Sequence, residues 1–184
     1  CRRGTAQGVY LYVAQHQASV AYVSPLILDY VVNKRVANRM GNKCDYAAPH
    51  GTYKCQGEDR WCAIAVFTDE EWESFCKVIG NPPWIKDPMF STIQTRKENE
   101  DELDRRINEW TIQHTDYEVM SLMQAAGVGA ALVGTAEDLM DKDPHLKYRK
   151  YYRDLDHPEI GKLRAPRQPC VLSKTPDEIR RAPL

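Results

Sequence analysis

No apolar run in this sequence approaches the roughly 20 residues that a bilayer crossing needs. The longest, Ala21–Leu28 (AYVSPLIL), gives way to charge, so no transmembrane span and no membrane partner are expected. Charge of one sign is equally scarce: 25 Lys and Arg stand against 26 Asp and Glu, and such a balance offers nothing to nucleic acid or an acidic lipid surface. The six cysteines, Cys1, Cys44, Cys55, Cys62, Cys76 and Cys170, are scattered. They form no C-x-x-C and no His/Cys pair at zinc-finger spacing, which predicts reduced thiols in a cytoplasmic protein and no metal site. The glycine pair Gly127-Val-Gly129 lacks a third glycine and a Walker lysine, so it supports no nucleotide site. There is no internal repeat and no low-complexity tract.

What is present suits one ordinary core or two small ones, given 184 residues at 42% hydrophobic content. The chain opens Cys-Arg-Arg rather than with Met, and no signal peptide is expected there. It stops at Leu184 just after a helix-start signal, Thr175-Pro-Asp-Glu178. The expectation is a piece of a longer protein.

Pattern predicts an α+β domain. Val9–Val13 (VYLYV) has strand composition, and Ala14–Val32 shows helical spacing that Pro25 must kink or divide. Asn33–Asp45 is polar and reads as a linker. Thr52–Gln56 and Trp61–Phe67 are strand-like runs separated by Gly57–Arg60, predicting an antiparallel hairpin. Thr68-Asp-Glu-Glu71 is a capping box, followed by Trp72, Phe75, Cys76 and Ile79 on one helix face and Gly80 as the stop. A second helix is predicted over Lys97–Gln113, with Leu103, Ile107 and Trp110 facing inward. A third starts at the capping box Thr115-Asp-Tyr-Glu118, with Met120 and Met123 together. A fourth starts at Thr135-Ala-Glu-Asp138 and ends before Pro144. Tyr151–Leu155, Gly161–Ala165 and Cys170–Leu172 read as short strands.

Five histidines, His16, His50, His114, His145 and His157, could each act as a base. His50 stands out because its Pro-His-Gly loop sits at the mouth of a rigid hairpin, where sites concentrate; the others read as surface or capping residues. The acidic pairs Glu70/Glu71, Asp141/Asp143 and Asp154/Asp156 lie at helix starts or polar turns, where solvation explains them. Lys147-Tyr-Arg-Lys-Tyr-Tyr-Arg153 mixes bases and aromatics as single-strand nucleic-acid platforms do. In a neutral chain, a solvated strand edge explains it better.

One family pattern runs through the whole chain. Arg3-Gly-Thr-Ala-Gln-Gly-Val-Tyr-Leu-Tyr-Val-Ala-Gln15 resembles R-x-T-G-K-G-Q-x-I-D-V-S; Arg39-Met-Gly-Asn42 and Ala48-Pro-His-Gly51 resemble R-x-G-N and A-P-H-G; Asp59-Arg60-Trp61 with Ile64-Ala65-Val66 resembles D-R-W-x-x-I-A-V. Trp84-Ile-Lys-Asp87-Pro88 with Phe90-Ser-Thr92 is similar to W-x-x-D-P-x-F-x-T, and Arg96 with Asn99 to R-x-x-N. Gly127-Val-Gly-Ala-Ala, Asp143-Pro144-His145 and Asp156-His157-Pro158 with Gly161 are similar to G-V-P-x-A, D-P-H and D-H-P-x-x-G. In this order they resemble the C-terminal half of a family III CoA-transferase, the group of formyl-CoA transferase, carnitine CoA-transferase and α-methylacyl-CoA racemase. Ala6, Val9 and Tyr12 depart from the family's Gly, Gln and common Asp.

The resemblance implies a fold, an activity and a site. The fold is α+β: the small domain of such an enzyme, a short antiparallel sheet packed with several helices, plus flanking segments of a large Rossmann-like domain. Residues 1–38 would close the large-domain segment, 39–147 would form the small domain and 148–184 would return toward the large one. The family's enzymes are interlocked homodimers that move CoA between carboxylic acids. They use an aspartate that forms a mixed anhydride and then a CoA thioester. That aspartate would lie upstream of Cys1, so the chain alone is expected to be inactive, with acyl-CoA and carboxylic acid as substrates and no tightly bound cofactor. Two alternatives are a racemase of the same family and a non-catalytic dimerisation domain. Gln15 and His16, and the loop Asp45, Tyr46, Ala47, Ala48, Pro49, His50 and Gly51, would border the acyl group. The loop replaces a glycine-rich lid, and Pro49 makes it stiffer by fixing its own φ and restricting Ala48.

Overall fold

The computed structural model describes residue 8 and residues 10–175, and the chain divides into two compact units, Cys1–Gly41 and Asn42–Leu184. In the first, α1 (Gln15–Tyr22) and α2 (Ser24–Asn33) are separate helices. Pro25 falls in the first turn of α2, where its missing N–H has no intrahelical acceptor to lose, so it divides the segment rather than kinking it. Lys34 ends α2 in the left-handed conformation, with φ 59°. Neither helix buries a residue.

Tyr10–Val13, the described part of the predicted first strand, is not a strand. A strand is stable only when a neighbour takes up its ladder of N–H and C=O groups, and the described residues provide none; Tyr10, Leu11 and Tyr12 are exposed. The helix signal Thr175–Glu178 lies, beyond its first residue, outside the described residues.

The second unit is built on a three-stranded antiparallel sheet, β1 (His50–Lys54), β2 (Trp61–Ala65) and β3 (Gly129–Leu132), with β2 central. The hairpin register pairs His50 with Ala65 and Lys54 with Trp61. It starts two residues earlier than pattern predicts, because the ladder extends through His50 and Gly51. Cys62, Ile64 and Val66 alternate into the core, with Tyr53 and Cys55 beside them. Burial pushes the Cys62 thiol up to about 12, and the described cysteines Cys44, Cys55, Cys62, Cys76 and Cys170 are free. Sequence pattern misses β3. At Gly129 a side chain would bring a Cβ within 3.3 Å of the Ala65 carbonyl, and the glycine cluster serves this close strand approach.

Helices pack on the sheet and on one another. The capping box at Thr68 forms, with Glu71 reaching back, and starts α3 (Asp69–Val78), which buries Trp72, Phe75 and Cys76. The box at Thr115 starts α6 (Asp116–Ala125), whose Val119 and Met123 are buried against β2 and β3. Between them the predicted single helix is two, α4 (Ile93–Glu98) and α5 (Glu100–Thr111). The break is at Asn99, which leaves the helical region at φ −115° and ψ 28°; its backbone and side-chain amides both donate to the Thr95 carbonyl, at 3.1 and 2.9 Å, and close α4 there. The earlier start comes from a capping box at Thr92 and Thr95.

α5 also seals the free edge of β1. Asn108 Oδ1 accepts from the Lys54 amide at 3.0 Å, Thr111 donates its hydroxyl to the Lys54 carbonyl at 2.8 Å, and Tyr53 donates to Asp104 Oδ1 at 2.7 Å. An edge strand that would invite another chain is thus occupied by side chains. Desolvation leads the forces that raise the Asp104 carboxyl, while the Tyr53 hydrogen bond opposes them.

The fourth predicted helix is a short π-helix, Asp138–Lys142. Asp138 draws in Arg60 Nη1 at 2.5 Å and Lys142 Nζ at 3.1 Å, and accepts from the Thr135 hydroxyl at 2.8 Å. α7 (Pro144–Tyr148) follows, capped by Asp143, which accepts from the Leu146 amide at 2.7 Å. β4 (Tyr152–His157) and β5 (Gly161–Pro166) form a separate hairpin. Cys170–Leu172, predicted as a strand, is not one, because no third strand joins this hairpin among the described residues.

The Arg60 hydrogen bond, followed by those from Thr135, holds the Asp138 carboxyl well below the usual carboxylate range. A folded value below the unfolded one stabilises fully above roughly pH 4 and is lost as pH falls. Urea midpoints between about pH 6 and 3 should therefore fall less steeply for Asp138→Asn than for the unmodified chain; an unchanged slope would show that Asp138 carries none of the acid sensitivity.

Candidate functional site

The loop ahead of β1 is pinned from several sides. Lys43, at its start, reaches Asp101 at 2.5 Å and Glu100 at 3.7 Å, and the Asp101 hydrogen bond raises its ammonium. Cys44 and Ala47 form an isolated bridge, and the Ala48–Pro49 peptide is cis. Ala47, Ala48 and Pro49 are buried. The Pro49 carbonyl accepts from the Val66 amide at 2.9 Å. The Ala48 carbonyl accepts from Arg96 Nε at 3.1 Å.

Arg96, on α4, is 0% exposed. Besides Ala48 it donates to the Phe90 carbonyl at 3.4 Å and to Asp69 Oδ1 at 3.2 Å, and its guanidinium lies 4.6 Å from the centroid of the Trp72 ring. One planar cation with divergent donors therefore ties the loop, α3 and the turn before α4 together, a task that fits guanidinium geometry and not an ammonium.

What the pinned backbone presents outward is aromatic. Tyr46 is 72% exposed and stacks on Phe67 at 6.2 Å; His50 meets the same Phe67 ring edge-on at 5.9 Å. His50 Nδ1 contacts the Asn42 carbonyl. A carbonyl only accepts, so Nδ1 carries the hydrogen and Nε2 of the neutral ring is left with a lone pair. Asn42 is itself held by its amide donating to Thr52 Oγ1 at 3.0 Å. Gly51 has no room for a side chain without disturbance, since a Cβ would meet the Tyr53 hydroxyl at 3.2 Å.

Of the residues singled out from sequence, Asp45 is exposed, Tyr46 and His50 stand exposed and half-buried against Phe67, and Ala47, Ala48 and Pro49 turn into the core. Gln15 and His16 are exposed on the first turn of α1, in the other unit, and no side chain caps that helix. Sequence reading misses Phe67 and Arg96 as parts of the site. Phe67 directly precedes the N-cap Thr68, where an apolar residue reads as a hydrophobic staple. Arg96 is signalled only by its place in the R-x-x-N motif. Among the described residues no cluster of His, Cys, Asp and Glu could hold a metal ion.

The profile of CoA-transferase family III matches residues 1–184. The chain belongs to this family. It is 30% identical to the probable CoA-transferase Rv1866 of Mycobacterium tuberculosis over 185 aligned positions, covering 100% of this chain and 23% of that protein. It is 31% identical over 149 residues to the formyl-CoA:oxalate CoA-transferase of Rhodopseudomonas palustris, covering 79% of this chain and 35% of that protein. The crystal structure of a CAIB/BAIF family protein from Brucella suis superposes with a TM-score of 0.78 at 23% identity, over 100% of this chain and 47% of that one. The chain therefore spans less than half the length of these family members, and the shared fold is α+β.

Arg96→Met, which keeps the stem and removes the donors, strands the Ala48 and Phe90 carbonyls. It should cost about 2–4 kcal/mol by urea denaturation, with Arg96→Lys recovering only part. A loss below about 0.5 kcal/mol would remove Arg96 from its role in pinning the loop.

Proposed function

We propose that this chain is the lid-bearing portion of an enzyme that moves CoA between carboxylic acids, and that the pinned Asp45–Gly51 loop with Phe67 forms one wall around the acyl group. Gln15 and His16 contribute to the same acyl surroundings in the assembled enzyme. The observation that carries this reading is the family match across residues 1–184. The loop supports it: a stiff backbone that presents Tyr46, His50 and Phe67 outward suits a wall that excludes water from a reactive intermediate. In the reaction a carboxylate outside this chain attacks the thioester carbonyl, the C–S bond breaks and CoA leaves as thiolate. The thiolate then attacks the resulting anhydride at the enzyme's own carbonyl, releasing the donor acid and leaving an enzyme-bound CoA thioester, which the acceptor carboxylate opens by the same two steps in reverse.

Residues 1–38 and 148–184 serve as connections to the large domain, with 39–147 as the small domain, and the working form is a homodimer in the cytoplasm. The first unit supports an assembled state: Tyr22 is 91% exposed, and Leu28 and Val32 on the next helix are exposed as well, more apolar surface than two short helices leave in water when they function alone. No helix among the described residues is long and apolar enough to cross a membrane.

Intact-protein mass spectrometry of the full gene product, incubated with a panel of acyl-CoA thioesters, should show an acyl or CoA adduct that hydroxylamine releases. No adduct with any donor, together with exchange of the substrate's α-proton in deuterium oxide, would replace the transferase reading with a racemase. In the same full-length protein, Phe67→Ala should lower kcat/KM about tenfold through lost acyl packing, with the fold intact by circular dichroism; unchanged kinetics would remove Phe67 from the acyl wall.

A further inference from the structure

Between the π-helix, α7 and the β4–β5 hairpin lies a cleft of about 700 Å³, a volume in the range of small-molecule sites, roughly 300–1,000 Å³. Its walls carry four cations, Lys147, Lys150, Arg153 and Arg164, against two carboxylates, Asp141 and Asp154. Both carboxylates are spent on one cation: Arg164 reaches Asp141 at 2.5 Å and Asp154 at 3.4 Å. Lys147, Lys150 and Arg153 form no ion pair with the described residues. Three unspent positive charges therefore converge on one concavity, although elsewhere in the unit Lys43, Arg60, Arg96 and Lys142 each sit on a carboxylate.

Concave walls focus the field of like charges, so the potential inside exceeds that of the same side chains on a convex face. Arginine with two lysines is the donor set that phosphate oxygens prefer. The cleft is not purely polar: Met140, Leu146 and the Tyr152 ring complete its lining. Tyr151 meets Tyr152 edge-on at 5.1 Å and steadies that ring. A bare oxyanion fills only a fraction of such a volume, and an apolar floor next to the cations suits an organic group carried on the phosphate.

We propose that this cleft binds a phosphate-bearing anion through Lys147, Lys150 and Arg153, with Met140, Leu146 and Tyr152 receiving the group esterified to it. The basic and aromatic run that sequence pattern assigns to a solvated strand edge is then the recognition element of a small-molecule site. The ligand is a phosphate ester, distinguished from a bare inorganic anion by its higher affinity.

The test is calorimetric titration of the full chain with inorganic pyrophosphate, adenosine diphosphate and unphosphorylated adenosine. Saturable binding of pyrophosphate or adenosine diphosphate, but not of adenosine, is expected. The nucleotide should bind more tightly than pyrophosphate; equal or weaker binding of the nucleotide would overturn the part assigned to Met140, Leu146 and Tyr152. The triple variant Lys147→Gln, Lys150→Asn, Arg153→Gln should weaken binding by at least about tenfold; Asn tolerates the positive φ of 49° at Lys150. A control with the same loss of charge elsewhere, Lys54→Gln, Lys77→Gln, Lys86→Gln, should change it less than about twofold. If the triple variant does not fold, Lys147→Gln alone, at an exposed helix position, should weaken binding about threefold. Absence of saturable binding by both phosphate probes, or an equal loss in the control, would overturn the proposal.

Discussion

A cation buried at 0% exposure is costly unless its donors are used, and the second unit is arranged around meeting that condition for Arg96. Its donors go to the Ala48 and Phe90 carbonyls and to Asp69, and its flat face to Trp72. These four partners lie in three segments: Ala48 in the loop before the hairpin, Phe90 in the turn before α4, and Asp69 and Trp72 on α3. The ring is further fixed by stacking on Phe75 at 5.4 Å. Loop position, helix position and core packing are therefore coupled through one side chain, and the outward aromatic surface of Tyr46, His50 and Phe67 inherits its placement from that coupling.

A second ionic centre does the same work at the opposite end of β2. Arg60 precedes that strand and pairs with Asp138 at 2.5 Å and with Asp116, the first residue of α6, at 3.5 Å. The Asp116 Oδ2 atom is buried without a hydrogen bond, so the Arg60 charge is what compensates it. Strand, helix and π-helix meet there through charge, whereas α5 meets β1 through the hydrogen bonds of Asn108, Thr111 and Tyr53.

The motifs that run through the family resemblance acquire physical reasons on this frame. In the W-x-x-D-P-x-F-x-T segment, Asp87 accepts from the Met89 amide, Phe90 is buried against Trp84, and Thr92 caps α4. The D-P-H motif is the cap of α7, D-R-W supplies Arg60, and R-x-x-N supplies both the buried cation and the helix break. In this chain they are scaffold. The segments that face outward, Tyr46 and the cleft beside β4, lie between or beside them, where sequence pattern is least informative.

Local signals in the sequence determined the hairpin, the capping boxes at Thr68 and Thr115 and the inward face of α3, because capping and periodicity act within a few residues; the sequence left Pro25 free to kink or divide its segment, and the structure divides it. The ends of α4 and α5 needed the Asn99 side chain to choose the Thr95 carbonyl, and β3 needed a partner strand more than sixty residues earlier in the chain. Within the candidate loop, sequence located the Asp45–Gly51 segment, and only the tertiary structure decided that Ala47 to Pro49 turn inward while Tyr46 and His50 meet Phe67. That choice rests on Arg96, 48 residues away from Ala48 in the chain, and a donor at that separation leaves no periodic or local trace from which the loop's orientation could be read.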